Sequence, residues 1–189
     1  MKYSIAKEIE SVCLALKPED SIKFIEKVLK CNLIVKQHAQ VHIGKIITSI
    51  EENELIQSLL KYYYAIPTMD YFSNIDKENA WIQFVEIFPT VLAKINVWAD
   101  SKNSFMISAY SQFPSVRLAV CKSLPSIAQI IGKENTAQDL CPILEKCMRD
   151  QNKSIRLCCF KSLSKFFIHI PQKQQLELDK YLKTIKVAI

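Results

Sequence analysis

Two histidines, His38 and His42, stand four residues apart in the sequence, and Cys31 precedes His38 by seven. Residues four apart share one face of a helix, so the two imidazoles could ligate a zinc ion together. The chain has no His-Glu-x-x-His motif and no second pair of ligands to complete such a site. The pattern therefore favours two polar side chains on a helix flank, and we expect no metal.

The chain has seven cysteines, and the adjacent pair Cys158-Cys159 is the one that suggests redox or nucleophilic chemistry. Neighbouring helical residues point about 100° apart, and Cys159 falls on an apolar helix position. His169 is the only histidine nearby, and no carboxylate stands near it in sequence to orient it as a base. We therefore interpret the cysteines as reduced thiols of a cytoplasmic protein, with the nucleus as an additional location.

Acidic and aromatic clusters also have structural explanations. The acids of residues 51–54 stand at a predicted helix start, where the helix dipole favours negative charge. Tyr62-Tyr63-Tyr64 and Trp81 could stack on bases, but their helical spacing assigns them to the core and its rim. Because the chain has only two glycines, it has no phosphate-binding loop. We expect no catalytic residue, no cofactor and no enzymatic activity.

The elements that carry these residues repeat along the chain. Residues 115–118 (Ser-Val-Arg-Leu) recur 39 positions later at 154–157 (Ser-Ile-Arg-Leu), and Lys122-Ser123-Leu124 recurs identically at 161–163. From Val116, apolar residues fall at offsets 0, 4, 8, 11 and 15, which form one helix face. The same template fits a start at 35 and one at 155, fits a start at 77 except at its first position, and fits a start at 5 in shorter form.

Partner helices are predicted between these, near 19–31, 52–64, 97–110 and 137–149. One helix pair cannot bury its apolar face alone, whereas stacked pairs bury a continuous core. We therefore predict an all-α fold of about ten helices, an α-solenoid of antiparallel helix pairs. It would form a single domain over 1–189, either complete or part of a longer array, with second helices starting near 5, 35, 77, 116 and 155. Gly132 should end one helix in a left-handed conformation, and Pro171 should stop the equivalent helix.

The pairs Val35-Lys36, Val116-Arg117 and Ile155-Arg156 resemble the opening of the second helix of HEAT repeats, whereas Lys77-Glu78 departs from that pattern. Within the HEAT family, residues 115–171 are similar to the scaffolding subunits of type-2A protein phosphatases, including the regulatory subunit of protein phosphatase 4. The residues that carry this likeness are 116–119, 127–132 and 148–152. The resemblance implies a non-catalytic scaffold or regulatory subunit that binds a Ser/Thr phosphatase catalytic subunit or a similar protein.

In such scaffolds the turns inside successive helix pairs align and contact the partner. Carried over by resemblance, the partner-binding residues are Ser111, Gln112, Phe113, Asp150, Gln151, Asn152 and Lys153. The resemblance also implies that Arg117 and Arg156 form a structural ladder between repeats.

The net charge of +6 is concentrated at the end of the chain. Residues 153–189 hold eight Lys and Arg against two acids, whereas residues 1–152 hold 17 of each. A nucleic-acid groove needs cations over several repeats, so a protein partner is the first expectation and a nucleic-acid-binding solenoid is the alternative. No apolar run is long enough to span a membrane. Residues 172–186 combine lysines with an apolar stripe, so this terminal helix should either dock on the preceding pair or contact another chain.

Overall fold

The computed structural model describes residues 8–9, 11–13, 15–30, 33–51, 53–69 and 74–185, and within them it is all-α, with no strand. Short helical pieces at 8–9 and 11–13 precede the first complete helix. The helices are α1 (Pro18–Leu29), α2 (Leu33–Ser49), α3 (Asn53–Tyr64), α4 (Asn74–Ile95), α5 (Trp98–Ala109), α6 (Pro114–Asn135), α7 (Cys141–Met148), α8 (Lys153–Phe167) and α9 (Gln172–Ile185).

The predicted helix pattern agrees with these bounds to within a few residues in most places. The clearest difference lies before α7, where residues Thr136–Leu140 form a π-helical turn and the α-helix begins only at Cys141. Pro142 falls in the first turn of α7, where its missing amide costs no hydrogen bond. The start predicted near residue 5 lies outside the described residues. Leu16, the last position of that short template, is 38% exposed, so the apolar face ends before it.

Positions of the apolar template form the core. The buried template residues are Ile9, Cys13, Ala39, Ile43, Ile46, Ile50, Trp81, Val85, Phe88, Leu92, Val116, Val120, Leu124, Ile127, Ile155, Cys159, Leu163, Phe166 and Ile170. Ile131, the last position of the α6 copy, is half-buried because it lies next to the break at Gly132. The sequence period therefore predicts the buried face of the four helices α2, α4, α6 and α8.

Two residues with positive φ mark where helices break. Gly132 has φ 79° and ψ 172°, a combination that is open almost only to glycine, and it interrupts α6 after Ile131. The positive φ agrees with the prediction, although the extended ψ differs from a left-handed helical cap. Asn96 ends α4 at φ 51°, a conformation that asparagine tolerates better than most residues. α8 ends at Phe167, so Pro171 follows a short turn rather than the helix itself.

The chain divides into two compact units, Met1–Val116 and Arg117–Ile189. In the first unit α1 contacts α2 and α3, α2 contacts α3 and α4, and α4 contacts α5. In the second unit α7 packs against α8 and against the π-helical turn that precedes it. One continuous domain over 1–189 stays a prediction, since each unit is described by its own contacts.

A tyrosine holds three helices of the first unit together. The buried Tyr63 hydroxyl of α3 donates to the Phe84 carbonyl of α4 at 2.7 Å, and its ring centroid lies 4.7 Å from that of Phe84. On α2 the ring faces Gly44, where an added Cβ would lie 2.8 Å from Tyr63 Cε2 and 2.6 Å from Ile87 Cγ2. Such distances are shorter than real Cβ contacts, so any side chain at this position would require Tyr63 and Ile87 to shift.

We expect Gly44→Ala to destabilise the protein although alanine is the better helix former. Overpacking against a hydrogen-bonded ring costs about 1–3 kcal/mol. This cost outweighs the roughly 1 kcal/mol by which alanine stabilises a helix relative to glycine. Chemical denaturation should show the loss, and Gln57→Ala on the exposed face of α3 should change the unfolding free energy by less than about 0.5 kcal/mol. A Gly44→Ala protein more stable than the wild type would contradict the close packing.

Candidate functional site

A groove with a volume of about 810 Å³ opens in the first unit, between the start of α4, the end of α5 and the turn that follows α5. Its lining residues are Lys77, Trp81, Asn103, Met106, Ile107, Tyr110, Ser111, Gln112 and Phe113. They come from two helices and one turn, so the groove exists only because α4 and α5 pack together.

The floor of the groove is aromatic. Trp81 and Phe113 meet edge to face, with ring centroids 6.3 Å apart and an interplanar angle of 88°. Lys77 stands one helical turn before Trp81, which puts its ammonium 5.7 Å from the centroid of the indole ring. The indole N–H of Trp81 is buried and has no hydrogen-bond partner among the residues that the structure describes. A floor of this kind gives the groove an apolar base with one positive charge beside it.

The rim of the groove exposes large apolar side chains beside polar ones. Tyr110 is 60% exposed and Ile107 is 39% exposed, although both are large enough to favour burial. Asn103 and Gln112 are exposed next to them. An apolar centre with aromatic residues and a polar edge is the composition typical of protein-interaction sites.

The first predicted partner-binding turn, residues 111–113, lines this groove. Ser111 is buried, and its hydroxyl accepts a hydrogen bond from the Phe113 amide at 3.2 Å, so it holds the turn. Gln112 is exposed and Phe113 is half-buried against Trp81. The Ser115 hydroxyl donates to the Glu78 carboxylate, which connects the start of α6 to α4 and so positions the turn.

Sequence reasoning missed most of the groove. It assigned Trp81 to the core and did not select Lys77, Ile107 or Tyr110. Two signals were present: Lys77 and Trp81 are four residues apart on one helix face, and Ile107 and Tyr110 are three apart at the end of a weakly apolar helix. Neither signal shows that these two faces meet, because that depends on how α4 packs against α5.

The second predicted turn, residues 150–153, is held by internal hydrogen bonds. Arg117 donates to both Asp150 carboxylate oxygens, Nε to Oδ2 at 2.7 Å and Nη2 to Oδ1 at 3.0 Å. The backbone N–H of Asn152 donates to Asp150 Oδ1 at 2.8 Å. The side-chain Oδ1 of Asn152 caps α8 by accepting from the backbone N–H of Ser154 at 2.9 Å. Asp150 stands 39 residues after Ser111 and makes the same bond to the amide two residues later. The sequence repeat therefore extends to the turn geometry.

The two predicted ladder arginines have different partners. Arg117 connects the start of α6 to the turn between α7 and α8. Arg156 donates from Nη1 to the carbonyls of Asp150 at 2.8 Å and Gln151 at 3.0 Å, so it stabilises the turn before its own helix. In this turn Gln151 and Lys153 are exposed, and partner binding by residues 150–153 stays a prediction.

The Arg117–Asp150 pair is the main electrostatic feature of the second unit. The Arg117 guanidinium lowers the pKa of the Asp150 carboxyl, and Asp150 in turn raises the pKa of Arg117. Burial, followed by the charge of Arg117, lowers the pKa of Lys146. The side chains of Asp150 and Arg117 are only 5% and 17% exposed, so solvent screens the pair weakly.

We expect Asp150→Asn to destabilise the second unit by about 2–4 kcal/mol at pH 7, since it leaves Arg117 without its counter-charge. Because folding lowers the Asp150 pKa, the stabilisation is present above the unfolded-state pKa of about 3.9 and is lost as pH falls through the folded-state pKa. Thermal melts of both proteins from pH 7 to pH 2.5 should therefore converge in acid. Glu145→Gln, on the exposed face of α7, is the control and should change stability little at any pH.

Three buried thiols meet in the core of the second unit. The Cys121 thiol interacts with those of Cys147 and Cys159. Cys121 Sγ donates to the Ile155 carbonyl at 3.9 Å, and Cys159 Sγ donates to the Leu144 carbonyl at 3.6 Å. The hydrogen bond with Cys121, and then burial, raise the pKa of Cys147, which keeps this thiol protonated at neutral pH. Cys158 is half-buried, so only one member of the adjacent pair is a core residue.

Alkylation should distinguish the half-buried thiol from the three buried ones. We expect Cys158 to react with N-ethylmaleimide in the folded protein at pH 7, while Cys121, Cys147 and Cys159 react only after denaturation, because burial keeps the reagent away from these three thiols. Peptide mass spectrometry after timed labelling measures this. Equal labelling rates for Cys159 and Cys158 in native buffer would show that the core opens.

The remaining predicted chemistry falls partly outside the described structure. Cys31 and the His38 side chain lie outside it, and His42 is half-buried. Among the residues that the structure describes, no group of three or more His, Cys, Asp and Glu side chains is placed to hold a metal ion. Among the helices of the described residues, none is both long and apolar enough to cross a membrane.

The terminal helix α9 is connected to the turn before it. Gln175 Nε2 donates to the carbonyls of Phe167 at 2.8 Å and Ile170 at 3.0 Å, and Leu178 is buried. These contacts agree with the expectation that this helix docks on the preceding helix pair, and its contact with another chain stays a prediction. Leu176 is 59% exposed, and the side chains of Tyr181, Leu182 and Ile185 lie outside the described residues.

Comparisons with known proteins add no family to this description. No protein-family model matches the chain, and no curated protein matches it in sequence. Over the residues that are described, the structure defines an all-helical protein with an aromatic groove.

Proposed function

We propose that this chain is a non-catalytic interaction scaffold of the HEAT type, which binds a protein partner through the groove between α4 and α5. The observation that carries the proposal is the exposure of Tyr110 and Ile107 above a Trp81–Phe113 floor. Tyrosine and tryptophan dominate the binding energy of many protein interfaces, because each buries a large area at little entropic cost.

Contacts in the first unit support the solenoid part of the proposal. The second helices α2 and α4 contact each other, as do the first helices α1 and α3. Within the pairs, α1 contacts α2, and Tyr63 of α3 bonds to Phe84 of α4. Each pair therefore packs on the next one along the chain, as in repeat proteins. The matching bonds of Ser111 and Asp150, 39 residues apart, support the same repeat in the second unit.

The charge of the groove favours a protein over a nucleic acid. Among the described residues that line the groove, Lys77 alone is charged. Residues 1–116 hold 12 basic against 13 acidic residues. Binding of a phosphate backbone needs several cations in a row. The resemblance of residues 115–171 to phosphatase scaffolds suggests a Ser/Thr phosphatase catalytic subunit as the first partner to test. Buried, reduced thiols support a cytoplasmic or nuclear location.

We expect Tyr110→Ala and Phe113→Ala to lower partner affinity by about tenfold or more, because each removes an aromatic side chain from the groove. Tyr110→Ala should leave the unfolding free energy nearly unchanged, since Tyr110 is mostly exposed. Tyr62→Ala is the matched control, since Tyr62 is a half-buried tyrosine of α3 outside the groove. Affinity purification of the four proteins, with quantitative mass spectrometry and titration of a purified type-2A catalytic subunit, measures the effect.

The outcomes separate the two parts of the proposal. If the catalytic subunit does not bind but other proteins are lost from both groove variants, the groove is a binding site for a different partner. If both variants retain the partners of the wild type at equal yield, the groove is not the interaction site.

A further inference from the structure

The outer face of α8 differs from an ordinary solvated helix face. Ile155, Cys159, Leu163 and Phe166 are buried and define the inner face of this helix. At 100° per residue, the side chains opposite them form one exposed stripe, which we call the α8 outer face. Its residues are Lys153, Leu157, Lys161, Ser164, Lys165 and Ile168, the last of which caps the helix.

Two large aliphatic side chains point outward on this face. Leu157 is 51% exposed and Ile168 is 65% exposed, at positions where the helix period favours polar residues. They stand eleven residues apart, which is about 16 Å along a helix. Both lie in the second unit and neither takes part in the groove of the first unit.

The same face has an unbalanced charge. No acidic residue occurs between Asp150 and Glu177, and five Lys and Arg residues occur in that interval. Asp150 is already paired with Arg117. Residues 117–189 hold 13 basic against six acidic residues, so the surrounding chain reinforces the positive field. Within the described structure, Lys153, Lys161 and Lys165 are exposed and form no ion pair.

We propose that the α8 outer face is a second interaction surface, which binds an acidic polypeptide segment that carries aliphatic side chains. Acidic residues complement the lysines, and aliphatic residues cover Leu157 and Ile168, so one occupant accounts for both features. This surface is independent of the groove, and either could exist without the other.

Other anionic partners fit these residues less well. A nucleic acid would engage the lysines through its phosphates but would leave Leu157 and Ile168 uncovered, and the face offers neither arginine nor an aromatic ring to stack on bases. A lipid surface needs a continuous apolar face. Here Lys161 and Lys165 stand between the two aliphatic side chains.

The test is a selection from a displayed library of random 16-residue peptides against the full-length protein. We expect a group of selected peptides to be rich in Asp and Glu together with Leu, Ile or Val. Their binding, measured by fluorescence anisotropy, should weaken about tenfold or more in Lys161→Glu/Lys165→Glu and in Leu157→Ser/Ile168→Ser, which remove the charged and the apolar parts of the surface separately.

The control is Lys122→Glu/Lys133→Glu, which makes the same charge change at exposed positions of α6 and should leave peptide binding within about twofold of the wild type. Circular dichroism melts establish that all variants are folded. The proposal is overturned if selection yields no acidic–aliphatic group, or if that group binds both α8 variants normally. It is also overturned if single-stranded DNA or phosphatidylserine vesicles bind more tightly and are insensitive to Leu157→Ser/Ile168→Ser.

Discussion

The close approach of Tyr63 to Gly44 is the constraint on which the first unit depends. The ring of Tyr63 occupies the space that a side chain on α2 would need, and its hydroxyl bonds to the backbone of α4. From there aromatic contacts continue to α5, since Phe88 of α4 lies 5.0 Å from Phe105 between ring centroids. The groove lies between the start of α4 and the end of α5, so its shape follows from this buried cluster.

Two turns related by the 39-residue repeat have different roles, and one difference between them is Ser111 at the position of Asp150. Ser111 and Asp150 both accept a hydrogen bond from the amide two residues later. A serine hydroxyl satisfies that bond and has no charge to balance, so the turn after α5 needs no arginine. The Asp150 carboxylate requires a cation when buried, and Arg117 supplies it. The first turn thus adds Phe113 to a groove, whereas the second turn is tied to α6 through the buried Asp150.

The two proposed surfaces lie in units of different net charge. The first unit is close to neutral, with 12 basic and 13 acidic residues, and its groove relies on aromatic area. The second unit carries a clear positive excess, and its exposed aliphatic residues lie among lysines. If both proposals hold, the groove and the α8 outer face bind chemically different segments, one through aromatic contacts and one through acidic and aliphatic side chains.

By itself the sequence determined the helical class, the bounds of most helices and the buried positions. Each of these follows from local spacing and backbone preference: the template from Val116 predicts the burial of Val120 and Leu124, and Gly132 predicts a break with positive φ. The tertiary structure decided which residues distant in sequence come together. Trp81 meets Phe113 across 32 residues of chain, and Arg117 reaches Asp150 across 33. Such contacts depend on the packing of helices that are distant in sequence, and helical periodicity carries no information about that packing.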